Sequence, residues 1–263
     1  MNQQLSFTSV IESAAKLPLV RIDRTKFLTS NLGKFCTPSQ LQTAIDEGTL
    51  HSGIPIETLD SLANAVINAE TIKVTSISAA AGIPGGFAMA ATIPADIVQY
   101  YGYMLRATQK LMYLYGFPEI DTDEKGHKFD SETINILIIC LGVMYGAAGA
   151  NNALKSMAKA LANGVEKKLI NAALTKGTIY PIVKSTASWF GKKMTKDVFA
   201  GFFKKTIPVV GGVLGGGITF ITFKPCCDKL KASLQDTLLS NPNHNADKGA
   251  NIITIYDISA ETI

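Results

Sequence analysis

The chain has 263 residues, enough to bury one sizeable core, with 47% hydrophobic residues and a charged share of 17%, below the usual quarter. Its net charge of +4 hides a division: residues 151–208 carry eleven lysines against Glu166 and Asp197, a balance of +9, while the parts before and after sum to −4 and −1. The only arginines are Arg21, Arg24 and Arg106, and no zinc-finger spacing or RNA-binding aromatic motif accompanies the lysines, which argues against a specific nucleic-acid reader.

In chain order, helix signals dominate. Phe7, Val10, Ile11 and Ala14 make an amphipathic start that ends before Pro18, and Glu12 and Lys16 interrupt it too early for a signal peptide. Asp23 is placed to cap a helix toward Asn31, with Gly33 to stop it. Thr37-Pro38 reads as a cap with proline at the first helical position. Pro55 opens the next helix, where Leu59, Leu62, Ala63 and Val66 keep the period.

Three uncharged apolar stretches follow, each with small residues four apart. They are residues 74–95 (Gly82, Gly86), 134–150 (Gly142, Gly146) and 206–223 (Gly211 and Gly215, beside Gly212 and Gly216). Residues four apart share one helix face, so these glycines are expected to form smooth strips where helices pack closely. Ile83-Pro84-Gly85-Gly86 predicts a break in the first stretch.

Thr92 then caps a predicted helix over 94–115, on which Gln99, Tyr103, Arg106 and Lys110 follow at three- and four-residue steps. Asp96, Gln99, Tyr100, Tyr103 and Arg106 are the candidate functional residues. The simpler reading of Asp96 is a carboxylate favoured by the helix dipole. Asp130 or Ser131 caps the helix holding 134–150, which the pattern extends to Ala162; shorter helices are expected over 165–174, 180–190 and 195–205. Pro225 is expected to end the last glycine-rich segment, with one more helix over 229–239. The tail from Asn245 includes a β-leaning run at 252–258, suited to an edge strand, a docking segment or a loose end.

Signals for catalysis or metal binding are weak. Asp121, Asp123, Gly126 and Glu132 match part of a calcium loop, but Lys125 stands where an oxygen ligand belongs. An acidic turn ahead of a helix explains them more simply. His51, His127 and His244 lie apart, no nucleophile elbow occurs, and Gly211–Gly217 lacks the lysine-serine ending of a phosphate loop. Cys36, Cys140, Cys226 and Cys227 form no metal-ligand spacing and read as reduced thiols. Neither a cofactor nor a metal is expected.

The segments Ala81-Gly82-Ile83-Pro84-Gly85-Gly86, Ile93-Pro94-Ala95-Asp96, Leu114-Tyr115-Gly116 and Ile207-Pro208-Val209-Val210-Gly211-Gly212 together resemble the signature of the EcsC family, over about 17–239. The resemblance implies a bacterial, intracellular, helix-rich protein. That family is named for a product encoded beside an ABC transporter and has no established activity, so no catalytic residue carries over. Asp96 occupies the position of the family's aspartate after the proline.

The sequence thus predicts an all-α, single multi-helix domain over 1–240 with buried glycine-rich helices, followed by a tail over 241–263. The preferred function is a non-enzymatic cytoplasmic protein, peripheral at the inner face of the membrane, that associates with an anionic lipid surface or a membrane protein, with a held hydrophobic ligand as a further option. Lys155, Lys159, Lys167, Lys168, Lys192, Lys193, Lys204 and Lys205 are its expected contacts. A soluble scaffold, a homo-oligomeric pore-former and an enzyme using Asp96 on a hydrophobic substrate are the alternatives.

Overall fold

The first helix, α1 (Phe7–Ala15), forms because Phe7, Val10, Ile11 and Ala14 recur at helical spacing, and all four are buried. It belongs to a computed structural model that describes residues 7–81, 95–120, 129–193 and 216–241, with side chains for 7–76, 97–120, 129–191 and 222–241. A 3-10 turn at Pro18–Val20 leads to α2 (Arg24–Leu32), whose Asp23 cap accepts the Lys26 amide at 2.8 Å. Helix α3 (Pro38–Asp46) starts with a reciprocal capping box between Thr37 and Gln40. A second 3-10 turn, Thr49–Ser52, precedes the long α4 (Ile56–Ala81).

Helix α5 (Ala95–Leu114) ends at Gly116, whose φ of 85° lets the Phe117 amide reach back to the Met112 carbonyl at 3.0 Å. A side chain at Gly116 would also place its Cβ 2.7 Å from the Leu239 carbonyl oxygen. Helix α6 (Ser131–Tyr145) is capped by Asp130, which accepts the Thr133 amide at 2.7 Å. After it come α7 (Ala150–Ala162), α8 (Lys167–Thr175), α9 (Tyr180–Lys193) and α10 (Gly216–Gln235).

All the regular elements among the described residues are helical, and one continuous hydrophobic cluster draws side chains from every α-helix, so the protein is an all-α single domain. Helix α10 lies against α4, α5 and α6, while α7, α8 and α9 gather around α6 and one another. Helix α1 bridges the two groups: Phe7 stacks on Phe190 of α9 at 4.0 Å and meets Tyr101 of α5 edge-on at 5.5 Å. No described helix is long and apolar enough to cross a membrane.

Three sequence expectations need correction. Helix α6 does not run on to Ala162; it stops at Gly146, and α7 begins again at Ala150. Gly146 is therefore not part of a packing strip. It is an exposed left-handed cap with φ of 78°, and a Cβ there would meet nothing within 4 Å. Pro225 does not end a helix either: α10 passes through it, with the ring exposed on one side and Phe223, Cys227, Leu230 and Leu234 buried on the other. That buried stripe carries the helix across the missing hydrogen bond.

Gly142 does make a close approach. A Cβ on it would lie 2.7 Å from Thr186 Cγ2 of α9 and 2.8 Å from the Ala150 Cβ of α7. Gly82, Gly86, Gly211, Gly212 and Gly215 lie outside the described residues, as does the 245–263 tail, and Gly216 is placed only as the first residue of α10.

Candidate functional site

The polar stripe of α5 has its counterpart on α4. Along α4 the core-facing positions are Leu59, Ala63, Val66, Ile67, Glu70 and Val74, so Glu70 puts a carboxylate where the helical period calls for an apolar side chain. Its side chain is 0% exposed. Three cations reach it: Lys110 at 2.6 Å, Arg106 through Nε at 3.1 and 3.2 Å, and Lys73 at 3.2 Å. Arg106 Nη1 also donates to the Leu19 carbonyl at 2.6 Å. Next along α5, Gln109 donates to the Val20 carbonyl at 2.8 Å and accepts the Ile22 amide at 3.3 Å. The α5 stripe thus fixes both α4 and the α1–α2 connection.

Burial alone would raise the Glu70 carboxyl, but the hydrogen bond and charge of Lys110, with Arg106 and Lys73, outweigh it and hold the group below its ordinary value. Lys110 moves the other way. Burial lowers it, Glu70 opposes that, and Arg106 and Lys73 add to the lowering. The carboxylate thus gains from three cations, whereas Lys110 is lowered first by its burial and then by the two like charges beside it.

Of the five residues singled out on α5, Tyr103 and Arg106 stand beside Glu70, and its charge, after burial, raises the Tyr103 hydroxyl. Tyr100 turns elsewhere: its hydroxyl lies 3.3 Å from that of Tyr145 and donates to Thr222 at 3.4 Å, among the aromatic rings. The five do not form one constellation. Gln99 is half-buried, and the side chain of Asp96 lies outside those described.

Sequence reasoning missed Glu70 and Arg24. The Arg24 guanidinium donates to Phe117 O at 3.1 Å, Ile45 O at 2.6 Å and Ala44 O at 3.1 Å, closing the C-terminus of α3. A carboxylate in the apolar register of α4 was a readable signal for Glu70; nothing local marked Arg24.

Nucleophilic chemistry finds little footing here. Burial pushes the Cys226 thiol up to about 11 and Cys140 up to about 12, so both stay protonated at neutral pH. Among the described residues no group of His, Cys, Asp and Glu is arranged to hold a metal ion. A cleft of 610 Å³ opens between α1, the start of α6 and the α8–α9 turn, with Glu12, Lys16, Asp130, Asn135 and Tyr180 on its walls. Asp130 is engaged in capping, and Asn135 donates to Leu174 O at 3.1 Å.

The lysines divide into two sets. Lys155 is not a surface contact, since it pairs with Asp236 and its side chain is only 16% exposed. Lys159 is half-buried in the last turn of α7, where the dipole favours a cation. Lys167, Lys168, Lys176 and Lys184 are exposed on α8, its C-cap and α9, with Lys184 over the Tyr180 ring at 4.6 Å. The side chains of Lys192 and Lys193 lie outside those described, and Lys204 and Lys205 outside the described residues. The chain matches no protein-family model, and no curated protein or solved structure is similar to it.

Proposed function

We propose that this chain is a non-enzymatic helical protein that associates peripherally with anionic lipid surfaces through the exposed lysines of α8 and α9. The observation that carries the reading is the charge of Ala150–Lys193, which holds eight lysines and a single carboxylate, Glu166. Lys167 and Lys168 occupy the first turn of α8, which has no acidic residue, although a helix N-terminus is stabilised by carboxylates and opposed by cations. The helix dipole therefore does not account for the pair, and an anionic surface facing the exposed side of α8 would. The mutual packing of α7, α8 and α9 holds these lysines on one group of helices.

Each lysine near an anionic bilayer contributes about 1 kcal/mol, so the four exposed ones supply roughly 4 kcal/mol, enough for reversible attachment. Fractionation of cells, with salt and carbonate washes, tests this. The protein should sediment with membranes at low salt and leave them in high salt. Recovery in the soluble fraction at low salt, or retention through carbonate, contradicts peripheral attachment.

A further inference from the structure

The Glu70 cluster holds more positive charge than it needs. Arg106, Lys110 and Lys73 share one carboxylate, and among the described residues no other carboxylate forms an ion pair with any of them. The hydrogen-bond count agrees. A guanidinium has five N–H groups and an ammonium three. Arg106 uses Nε and one bond from Nη1, and Lys110 and Lys73 give one bond each to Glu70. Arg106 Nη2 and the remaining lysine protons have no hydrogen-bond partner among the described residues. The side chains are 23%, 12% and 50% exposed for Arg106, Lys110 and Lys73, so solvent reaches the cations while Glu70 is fully buried.

We propose that this cluster binds a phosphate monoester dianion, which takes Arg106 Nη2 and the remaining ammonium protons of Lys73 and Lys110, with Glu70 as the positioning residue. The Arg106 guanidinium is held at Nε by Glu70 and at Nη1 by Leu19 O, which leaves Nη2 to donate to a phosphate oxygen. Three cations and one carboxylate leave a charge of +2, which a dianion cancels and a monoanion does not. Two sources share this chemistry, a soluble phosphate ester and a phosphatidic-acid headgroup. The site lies on α4 and α5 and does not depend on the α8–α9 lysines.

Thermal melting of the full chain in inorganic phosphate, against chloride at equal ionic strength, is the test. Phosphate should raise Tm with saturation. Lys73→Gln, at a half-exposed position, should weaken the apparent affinity about tenfold, as expected for one charged hydrogen bond. Lys167→Gln with Lys168→Gln should leave it unchanged. Flotation then separates the sources: preference for phosphatidic-acid over phosphatidylserine vesicles, lost in Lys73→Gln, assigns the lipid headgroup. A phosphate response without that preference assigns a soluble ester. The proposal is overturned if neither phosphate nor phosphatidic acid gives a saturable response, or if Lys73→Gln responds like wild type, or if the Lys167/Lys168 pair weakens it equally. Failure of surface attachment reads differently: no anionic vesicle floats the protein, while phosphate still raises Tm.

Discussion

Two glycines four residues apart do opposite work. At Gly142 a methyl would press on Thr186 Cγ2 at 2.7 Å, and overpacking costs about 1–3 kcal/mol, offset by about 1 kcal/mol of helix propensity. Gly142→Ala should therefore lower stability in urea unfolding, and Thr186→Ser, which removes that methyl, should recover part of the loss. At Gly146 there is room but φ is 78°, so Gly146→Ala should cost about 1 kcal/mol whatever stands at 186, and Gly146→Asn less. Glu70 gives a pH-dependent prediction. Its folded carboxyl sits below the ordinary 4.5, so its contribution is complete above that value and disappears as pH falls through the lower folded one. Glu70→Gln should cost about 3 kcal/mol at neutral pH, with the deficit shrinking in acid; an equal deficit at every pH contradicts this account. The caps at Asp23, Thr37 and Asp130 were legible because their partners lie three residues away. Glu70 meets Arg106 and Lys110 36 and 40 positions away, and Arg24 meets acceptors 20 to 93 positions away, and no local pattern encodes those.

Helix existence was the most readable feature at the next scale, because the apolar period of α1, α4 and α7 is a property of each segment alone. Helix ends were less so. Small residues spaced by four specify a packing face only while the helix continues, and a left-handed glycine ends it; Gly146 therefore looked like a strip and is a cap. Tyr115-Gly116 ends α5 by the same device. Pro225 was misread in the other direction, since the packing of α10 on α4 outweighs a local loss of about 3 kcal/mol. The ring is exposed and touches no core, so Pro225→Ala should raise Tm, by up to about 3 kcal/mol in stability. A lower Tm would show that the fit of α10 to α4 needs the proline.

Across the whole molecule, the buried charges and the exposed lysines are laid out separately. The buried cluster ties α4, α5 and the α1–α2 connection together, while the exposed lysines lie on α8 and α9, which pack on α6. The all-α class followed from periodicity, but the separation of the α5 residues into a charged side at Tyr103 and Arg106 and an aromatic side at Tyr100 depended on which helices flank α5. Lysine excess was plain in the composition; that Lys155 is consumed by Asp236 needed the return of α10. Flotation with phosphatidylserine–phosphatidylcholine vesicles at low salt tests the central claim most directly. Wild type should float, release as salt rises, and fail to float when Lys167 and Lys168 are both changed to Glu. Wild-type protein that stays at the bottom at low salt, or a double variant that floats as well as wild type, contradicts the account.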